Sequence, residues 1–396
     1  MANSALYPPF NDTQAAFAHL SDGALRKAYW MFYLINKRWL VRLGSYLVMK
    51  ALALRMPIKP LIKKTIFAHF CGGETISECQ SRIDSLAARN VGTILDYSME
   101  GQCDDTTFDQ TLYHLLETVH KAGQSTAIPF AVFKVTGLGS ASVLASVQSK
   151  KLLSTLQKQQ YQRTRERIFS LCQTAQEKNV RIFFDAEESW IQDTIDDMCY
   201  EMMSLFNKKN AIVFNTFQFY RRDMIERYQQ ALDMARKSKY YLGAKLVRGA
   251  YMEKERERAQ TMDYPDPIHP DKARVDQDFD RAVSLTLNAI DQASICLGTH
   301  NERSCHWCVE EMRKHGIDKT DQRIYFAQLL GMSDNISFNM ALAGYNVAKY
   351  VPFGPIEAVM PYLLRRANEN SAISGQSSRE FLLIGKELSR RKRRQS

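Results

Sequence analysis

The sequence predicts an α/β protein, a (βα)8 barrel with a helical arm ahead of it, and three observations carry that prediction. Eight short apolar runs alternate with longer helical stretches from Thr93 onward, which is the pattern of parallel βαβ units. The chain has 396 residues, and what remains from Thr93 falls within the usual size of such a barrel, roughly 250 residues and upward. Each run also ends at or near a polar residue, as expected of a fold whose active sites form at the C-terminal ends of several strands.

Residues 1–75 read as a basic helical arm: between Gly23 and Gly73 the chain has ten Lys/Arg and no acid. The strand candidates follow as 93–98 (TILDYS), 128–135 (IPFAVFKV), 180–186 (VRIFFDA), 211–218 (AIVFNTFQ), 242–248 (LGAKLVR), 294–300 (SICLGTH), 324–330 (IYFAQLL) and 346–352 (NVAKYVP). They are rich in Val, Ile, Phe and Tyr, and short enough for strands. Segments 106–121, 149–178, 193–207, 223–238 and 276–292 read as the helices between them. At or near the ends of the runs stand Asp96, Lys134, Asp185, Gln218, Arg248, His300, Gln328 and Tyr350. A doubly wound open sheet would favour a glycine-rich phosphate loop after an early strand; no GxGxxG follows one, and Gly137-Leu-Gly139 is too short a match.

After the last run comes a Pro/Gly turn and a helix entered at Pro355, a position that suits proline. Pro361 either kinks this helix or marks its true start. Tyr362, Arg365, Arg366 and Glu369 recur at the spacing of one helical face, with Ile356, Met360, Leu363 and Leu364 on the other. Two adjacent guanidiniums with a carboxylate and a phenol suit bidentate capture of a small carboxylate or phosphate. A solvated face with ion pairs is the alternative, although Arg preceding Glu is the less stabilising order. After about Glu387 the tail 387–396, rich in Arg, Lys and Ser, reads as disordered, which leaves 76–386 as the barrel domain.

The formal net charge of +10 belongs to the two ends, the arm and the run Arg390–Arg394, while the body between them is close to neutral. Basic ends point to an anionic partner, a membrane surface or a nucleic acid. No apolar run approaches the roughly 18–20 residues of a membrane span, but the arm interleaves Trp30, Phe32 and Trp39 with Lys37, Arg38 and Arg42, as an interfacial amphipathic helix does. An ordinary packed helix with its cations in water is the competing reading. The first twenty residues lack the charge pattern and apolar core of a secretory signal and the Arg-rich pattern of a transit peptide. Eight irregularly spaced cysteines fit reduced thiols of an intracellular protein. Cys305-His-Trp-Cys308 is a lone CxxC without the second pair of a metal site, so no metal is expected.

Tyr362-Leu-Leu-Arg365-Arg366-Ala-Asn-Glu369-Asn-Ser resembles the YLxRRxxENs signature of the proline dehydrogenase family, flavoenzymes that oxidise L-proline to Δ1-pyrroline-5-carboxylate. Lys245-Leu-Val-Arg248-Gly249-Ala250-Tyr251 is similar to the family's fifth-strand motif, and Lys134 (FKVT), Asp185 (DAE), Gln218 (FQFY) and Thr299-His300-Asn301 stand in the expected order. The resemblance runs from about Ile94 to Ala372. It implies a distorted (βα)8 TIM barrel with the eighth helix over the barrel mouth, and FAD as cofactor. It also implies that Lys134, Arg365 and Arg366 hold the substrate carboxylate, that Asp185 and Glu369 orient these cations, and that Tyr350 and Tyr362 wall the proline ring. Gln218, Lys245, Val247, Arg248, Gly249, Ala250, Tyr251, Thr299, His300, Asn301 and Gln328 would line the flavin. Many bacterial members carry Arg at the position of Lys245 and Lys at that of Arg248; the exchange keeps the charge and changes the geometry of the contact.

The same resemblance implies a membrane quinone as electron acceptor. The basic ends would then give salt-sensitive attachment to anionic lipid, on a cytoplasmic protein or at the inner membrane, mitochondrial in a eukaryote. A separate pyrroline-5-carboxylate dehydrogenase would take the product. Tyr350, where bulk crowds a ring hydroxyl, favours proline over 4-hydroxyproline, the substrate of some members. A non-enzymatic nucleic-acid-binding protein is the reading from a different class. A near-neutral body and the lack of a helix-turn-helix or RNP pattern weigh against it, so no nucleic acid is expected.

Overall fold

The computed structural model describes residues 8–54, 56–97, 104–372 and 376–395, apart from the side chains of residues 38, 42, 53, 367–372, 376–378 and 395. Eight strands, β1 (Val91–Tyr97), β2 (Phe130–Phe133), β3 (Arg181–Phe184), β4 (Val213–Gln218), β5 (Leu242–Val247), β6 (Ala293–Gly298), β7 (Ile324–Leu329) and β8 (Val347–Phe353), close into a barrel in sequence order. The registers of β1 to β7 are all parallel, from Ile94 opposite Phe130 round to Gly298 opposite Ala327. Each expected run is therefore a strand. The bounds differ in one useful way: β2 and β3 stop one residue short of Lys134 and Asp185, which stand just past the strand ends. A one-turn 3-10 helix, Val135–Gly137, follows Lys134 directly. Among the helices, the expected 149–178 is shorter at its start, Thr155–Glu177, opened by a capping box in which Ser154 and Gln157 satisfy each other's backbone N–H.

The chain divides into two compact units, 94–327 and the two ends together, 1–93 with 328–396. In the 94–327 unit the strands are filled from within by aromatic side chains. Phe130 stacks on Phe183 with ring centroids 4.4 Å apart, and Phe214 and Tyr325 meet Phe130 edge-on at 5.5 and 4.9 Å. Each such pair contributes about 0.5–1.5 kcal/mol beyond its area. Cys305 and Cys308 are buried on the Glu302–Lys314 helix.

In the unit formed by the ends, the Asp22–Ile35 helix is capped by Ser21 and buries Leu25, Ala28, Phe32 and Ile35, one face by their spacing. Leu25, Ala28 and Phe32 pack with Leu383 and Ile384 of the last helix, Gln376–Gln395. The tail expected to be disordered after Glu387 is thus the last turns of a helix. Charge density alone misled there: Glu387, fully buried, accepts hydrogen bonds from Thr13 Oγ1 at 3.0 Å and from the Nε atoms of Arg390 and Arg391 at 2.8 Å. Arg391 also donates to the carbonyls of Phe17 and Leu20 and to Asp22. The helix entered after Pro355 runs Ile356–Ala372 with Pro361 inside it. It buries Ile356, Val359, Met360 and Leu363, with Val48 and Leu52 of the arm against the same cluster.

This unit also buries a charged cluster. Lys349, in the middle of β8, donates to the carbonyls of Leu329 (3.3 Å) and Met332 (2.5 Å) and to Asp334 Oδ1 (2.7 Å). Asp334 Oδ2 meets His19, and the lysine beside it holds its carboxyl well below the usual range despite burial. Glu380 of the last helix accepts from the Ser333 N–H; burial, with Asp334 near, pushes its carboxyl up to about 8. Ser333 sits in the left-handed backbone region at φ 50°, so this turn is held in a conformation a serine rarely adopts.

Candidate active site

In the 94–327 unit, the C-terminal ends of β2 to β6 carry a continuous row of polar side chains. Lys134 follows β2 and Asp185 follows β3; Lys245, buried within β5, donates from Nζ to Asp185 Oδ1 and lies 5.1 Å from the Phe183 ring centroid. The resemblance makes Asp185 a counter-charge for the substrate-holding cations; Lys245 is an ion-pair partner of it. Removing one member of a buried pair leaves an uncompensated charge, so the two hold each other's orientation.

Glu187, two residues beyond Asp185, is the residue the sequence reading missed. It is buried and accepts from both the N–H (3.0 Å) and the hydroxyl of Thr136, past β2. Its own N–H goes to Gln192 Oε1 (2.7 Å) and its carbonyl takes Gln218 Nε2 (2.8 Å). Gln218 Oε1 in turn accepts the Ala250 N–H at 3.2 Å. Side chains thereby lace the ends of β2, β3, β4 and β5 together. Burial pushes the Glu187 carboxyl up to about 7, against the pull of Lys134 and of the Thr136 donors. An acid three residues past the strand end, two positions after a flagged Asp, was the available signal.

Arg248 closes the row. Its Nε donates to Asp276 (2.7 Å), Nη1 to Thr299 Oγ1 (2.6 Å) and Nη2 to Ser304 Oγ (2.9 Å), and its guanidinium carbon lies 4.5 Å from the Phe279 ring centroid. Three of five N–H groups are used in these contacts, which leaves the fork able to meet an anion. Gly249 lies at φ 131°, and a Cβ there would stand 2.2 Å from the Tyr220 ring, so only glycine serves. Val247 ends β5 and Tyr251 precedes the Met252–Thr261 helix. Thr299 Oγ1 also accepts the Asn301 N–H, and Asn301 Oδ1 caps the next helix through the N–H groups of Arg303 and Ser304. Asn301 therefore has a structural duty at this position; His300 beside it is half-buried. Asp96, in β1, is half-buried as well.

In the unit formed by the ends, Gln328 in β7 is buried and its Oε1 accepts from Ser337 Oγ at 2.8 Å. Tyr350 in β8 and Tyr362 in the Ile356–Ala372 helix are buried. Arg365 and Arg366 are half-buried, with the Arg366 guanidinium carbon 5.4 Å from the Tyr362 ring centroid. The Glu369 side chain lies outside the described ones. Among the described residues no His, Cys, Asp and Glu come together as a metal site would require.

The cofactor that the resemblance implies finds fitting chemistry in the first of these sets. Two cations, an amide and hydroxyl donors line adjacent strand ends, as a dinucleotide's phosphates and ring carbonyls require. The Tyr220 hydroxyl and Arg221 Nη1, both buried, have no hydrogen-bond partner among the described residues, and the Tyr220 N–H donates to the Arg248 carbonyl at 2.6 Å.

The proline dehydrogenase family model matches residues 79–379. Proline dehydrogenase 1, mitochondrial, of Drosophila melanogaster is 37% identical over 257 residues, covering 62% of this chain and 38% of that protein. Proline dehydrogenase 2, mitochondrial, of Arabidopsis thaliana is 29% identical over 428 residues, with 96% and 90% covered. Carbapenem antibiotics biosynthesis protein CarD of Pectobacterium carotovorum subsp. carotovorum is 30% identical over 382 residues, with 96% and 98% covered. Among solved structures, proline utilization A (PutA) from Bdellovibrio bacteriovorus inactivated by N-propargylglycine superposes with a TM-score of 0.72 at 19% identity. That match covers 91% of this chain and 38% of that one, and it is a likeness of fold. The chain belongs to the proline dehydrogenase family. It spans under half the length of the fly enzyme and of the PutA chain, and nearly all of the Arabidopsis and Pectobacterium relatives.

Proposed function

We propose that the chain oxidises L-proline to Δ1-pyrroline-5-carboxylate with FAD as its cofactor, and that a membrane quinone takes the electrons onward. The observation that supports this reading most is the laced row of Lys245–Asp185, Gln218 and Arg248 at the strand ends, the cationic lining that an anionic flavin cofactor needs. Gln218, Lys245, Val247, Arg248, Gly249, Ala250, Tyr251, Thr299, His300, Asn301 and Gln328 would hold FAD, which when bound supplies the acceptor for the two electrons and hydrogen leaving C5 of proline.

The chain's own part is recognition and alignment. Arg365, Arg366 and Lys134 hold the proline carboxylate, where paired N–H groups give geometry as well as charge. Asp185 and Glu369 are counter-charges that keep these cations aimed, and Tyr350 and Tyr362 wall the ring and exclude water. Fixing the remote carboxylate sets C5 in place, which turns binding energy into alignment. Tyr350 disfavours a ring hydroxyl, so proline is preferred to 4-hydroxyproline. The amine proton leaves to solvent or to a nearby base. The basic ends give salt-sensitive attachment to an anionic membrane where quinone is found, and a separate dehydrogenase consumes the product in catabolism toward glutamate. One nearly full-length relative is named for antibiotic biosynthesis, so the product's fate calls for a test of its own.

The purified protein should be yellow, with flavin absorption bands that L-proline bleaches anaerobically and 4-hydroxyproline bleaches more slowly. A flavoprotein indifferent to both substrates, or a protein that takes up no flavin, would overturn the proposal.

A further inference from the structure

The arm exposes a stripe of large apolar side chains. In the Asp22–Ile35 helix Trp30 (61% exposed), Tyr33 and Leu34 lie away from the buried Leu25, Ala28, Phe32 and Ile35. In the Arg38–Ala53 helix Trp39 (65%), Leu43, Tyr46 (62%) and Leu47 recur at i, i+4, i+7, i+8, a single face. The other side of that helix, through Val48 and Leu52, packs on the cluster that holds Met360 and Leu363. Leu54, Met56 and Leu61, which follow in the chain, are exposed as well. So many large exposed apolar side chains in one segment mark an interaction site, not an ordinary surface.

The charges around the stripe select the partner. Arg26, Lys27, Lys37, Lys50 and Lys64 are exposed, and among the described residues no acid lies within ion-pair distance of them. Lys37 Nζ stands 5.5 Å from the Tyr33 ring centroid and Lys50 Nζ 5.8 Å from that of Tyr46, so cations flank the aromatic rings. Trp and Tyr between apolar residues and lysines are the composition of a headgroup interface, where rings sit at the boundary and lysines reach the phosphates. A second copy of the chain would bring like charge against like. No described helix is long and apolar enough to cross a membrane. At the other end, Arg390 and Arg391 are turned onto Glu387 and into the fold.

We propose that the face formed by Trp30, Tyr33, Leu34, Trp39, Leu43, Tyr46 and Leu47 inserts into the interfacial layer of an anionic lipid bilayer, with both helices lying in its plane. This rests on the membrane attachment proposed above and changes its nature: the arm makes the contact by apolar insertion framed with charge, so part of the attachment survives salt.

The test is co-sedimentation of the full chain with phosphatidylcholine vesicles, with and without phosphatidylglycerol, at low and high salt. The chain should bind the anionic vesicles and retain a measurable fraction at high salt. A Trp30→Ser/Trp39→Ser/Leu43→Ser/Leu47→Ser variant should lose roughly a hundredfold in partitioning at either salt. A Lys27→Gln/Lys37→Gln/Lys50→Gln variant should fall only to the high-salt level of the unaltered chain. Vesicles with brominated acyl chains should quench tryptophan fluorescence of the unaltered protein, which needs no variant to fold. Binding that salt abolishes, without quenching and without loss in the apolar variant, overturns insertion and leaves attachment by charge standing. Absence of vesicle binding overturns both. Self-association that the apolar variant abolishes, in place of vesicle binding, assigns the face to a second copy and also overturns the proposal.

Discussion

Lys245 in β5 and Lys349 in β8 are both buried strand lysines paired with an aspartate, and a glutamate whose carboxyl burial has pushed up belongs to each region: Glu187, two residues beyond Asp185, and Glu380, beside Lys349. Their surroundings differ. Lys349 meets the carbonyl of Leu329 at the end of β7, that of Met332 in the turn after it, and one carboxylate, which uses the three donors of an ammonium. Lys245 pairs with the side chain of Asp185, in the row that also holds Gln218 and Arg248. Equal burial and equal charge therefore serve two ends. One lysine fastens a turn and, through Ser333 and Glu380, the last helix; the other belongs to the row of polar groups that we propose holds the cofactor.

The largest effect should come from breaking the fastening. Lys349→Met leaves Asp334 buried without its main counter-charge and should cost about 3–5 kcal/mol of stability, read by urea unfolding. Lys349→Met/Asp334→Asn should recover part of that loss. Lys245→Met should do the reverse. Its stability loss should be the smaller, while kcat/KM for proline falls about a hundredfold, near 2.7 kcal/mol of transition-state stabilisation. If Lys245→Met unfolds the protein as readily as Lys349→Met while each folded molecule keeps its activity, the two lysines are alike and the contrast is wrong. Weaker again is Arg365→Met or Arg366→Met. Each removes charge-assisted hydrogen bonds to a carboxylate and should raise KM for proline roughly tenfold to a hundredfold, with flavin content unchanged. Near-normal proline kinetics would sink the assignment of that arginine.

The barrel was legible because strand and helix periods are local: eight apolar runs and the stretches between them declare themselves without knowledge of what packs where. Gln218 and Arg248 stand out in the sequence through their place at strand ends, and Lys245 only through the motif around Gly249. Glu187 was not, because its importance lies in Thr136, a contact 51 residues away, which no local pattern encodes. Lys349 had a signal that went unread: a charge between Ala348 and Tyr350, in a strand otherwise apolar, demands a buried partner. The tail misled for the same reason in reverse. Arg390 and Arg391 read as free charge, yet Glu387 beside them has no exposure and accepts from both guanidiniums.

The two glutamates allow the comparison to be sharpened by pH. Burial raises Glu187 from an ordinary carboxyl value to about 7 and Glu380 to about 8. An acid whose pKa is higher folded than unfolded keeps its proton in the native state after the unfolded chain has lost it. In that window the native state binds more protons, so stability falls as pH rises. For Glu187 the window runs from about 4.5 to about 7 and for Glu380 from about 4.5 to about 8. Below it both states are protonated and above it both are ionised, and neither region has a slope from that group. Glu187→Gln and Glu380→Gln should each remove its share, at most about 1.4 kcal/mol per pH unit. The Glu380 share should persist about one pH unit further into the alkaline range. Glu187→Gln should also shift the pH profile of kcat/KM, because its carboxylate faces Thr136 and Lys134 at the ends of the strands, whereas Glu380→Gln should leave that profile where it is. A shifted profile in the Glu380 variant would place its cluster in the chemistry after all.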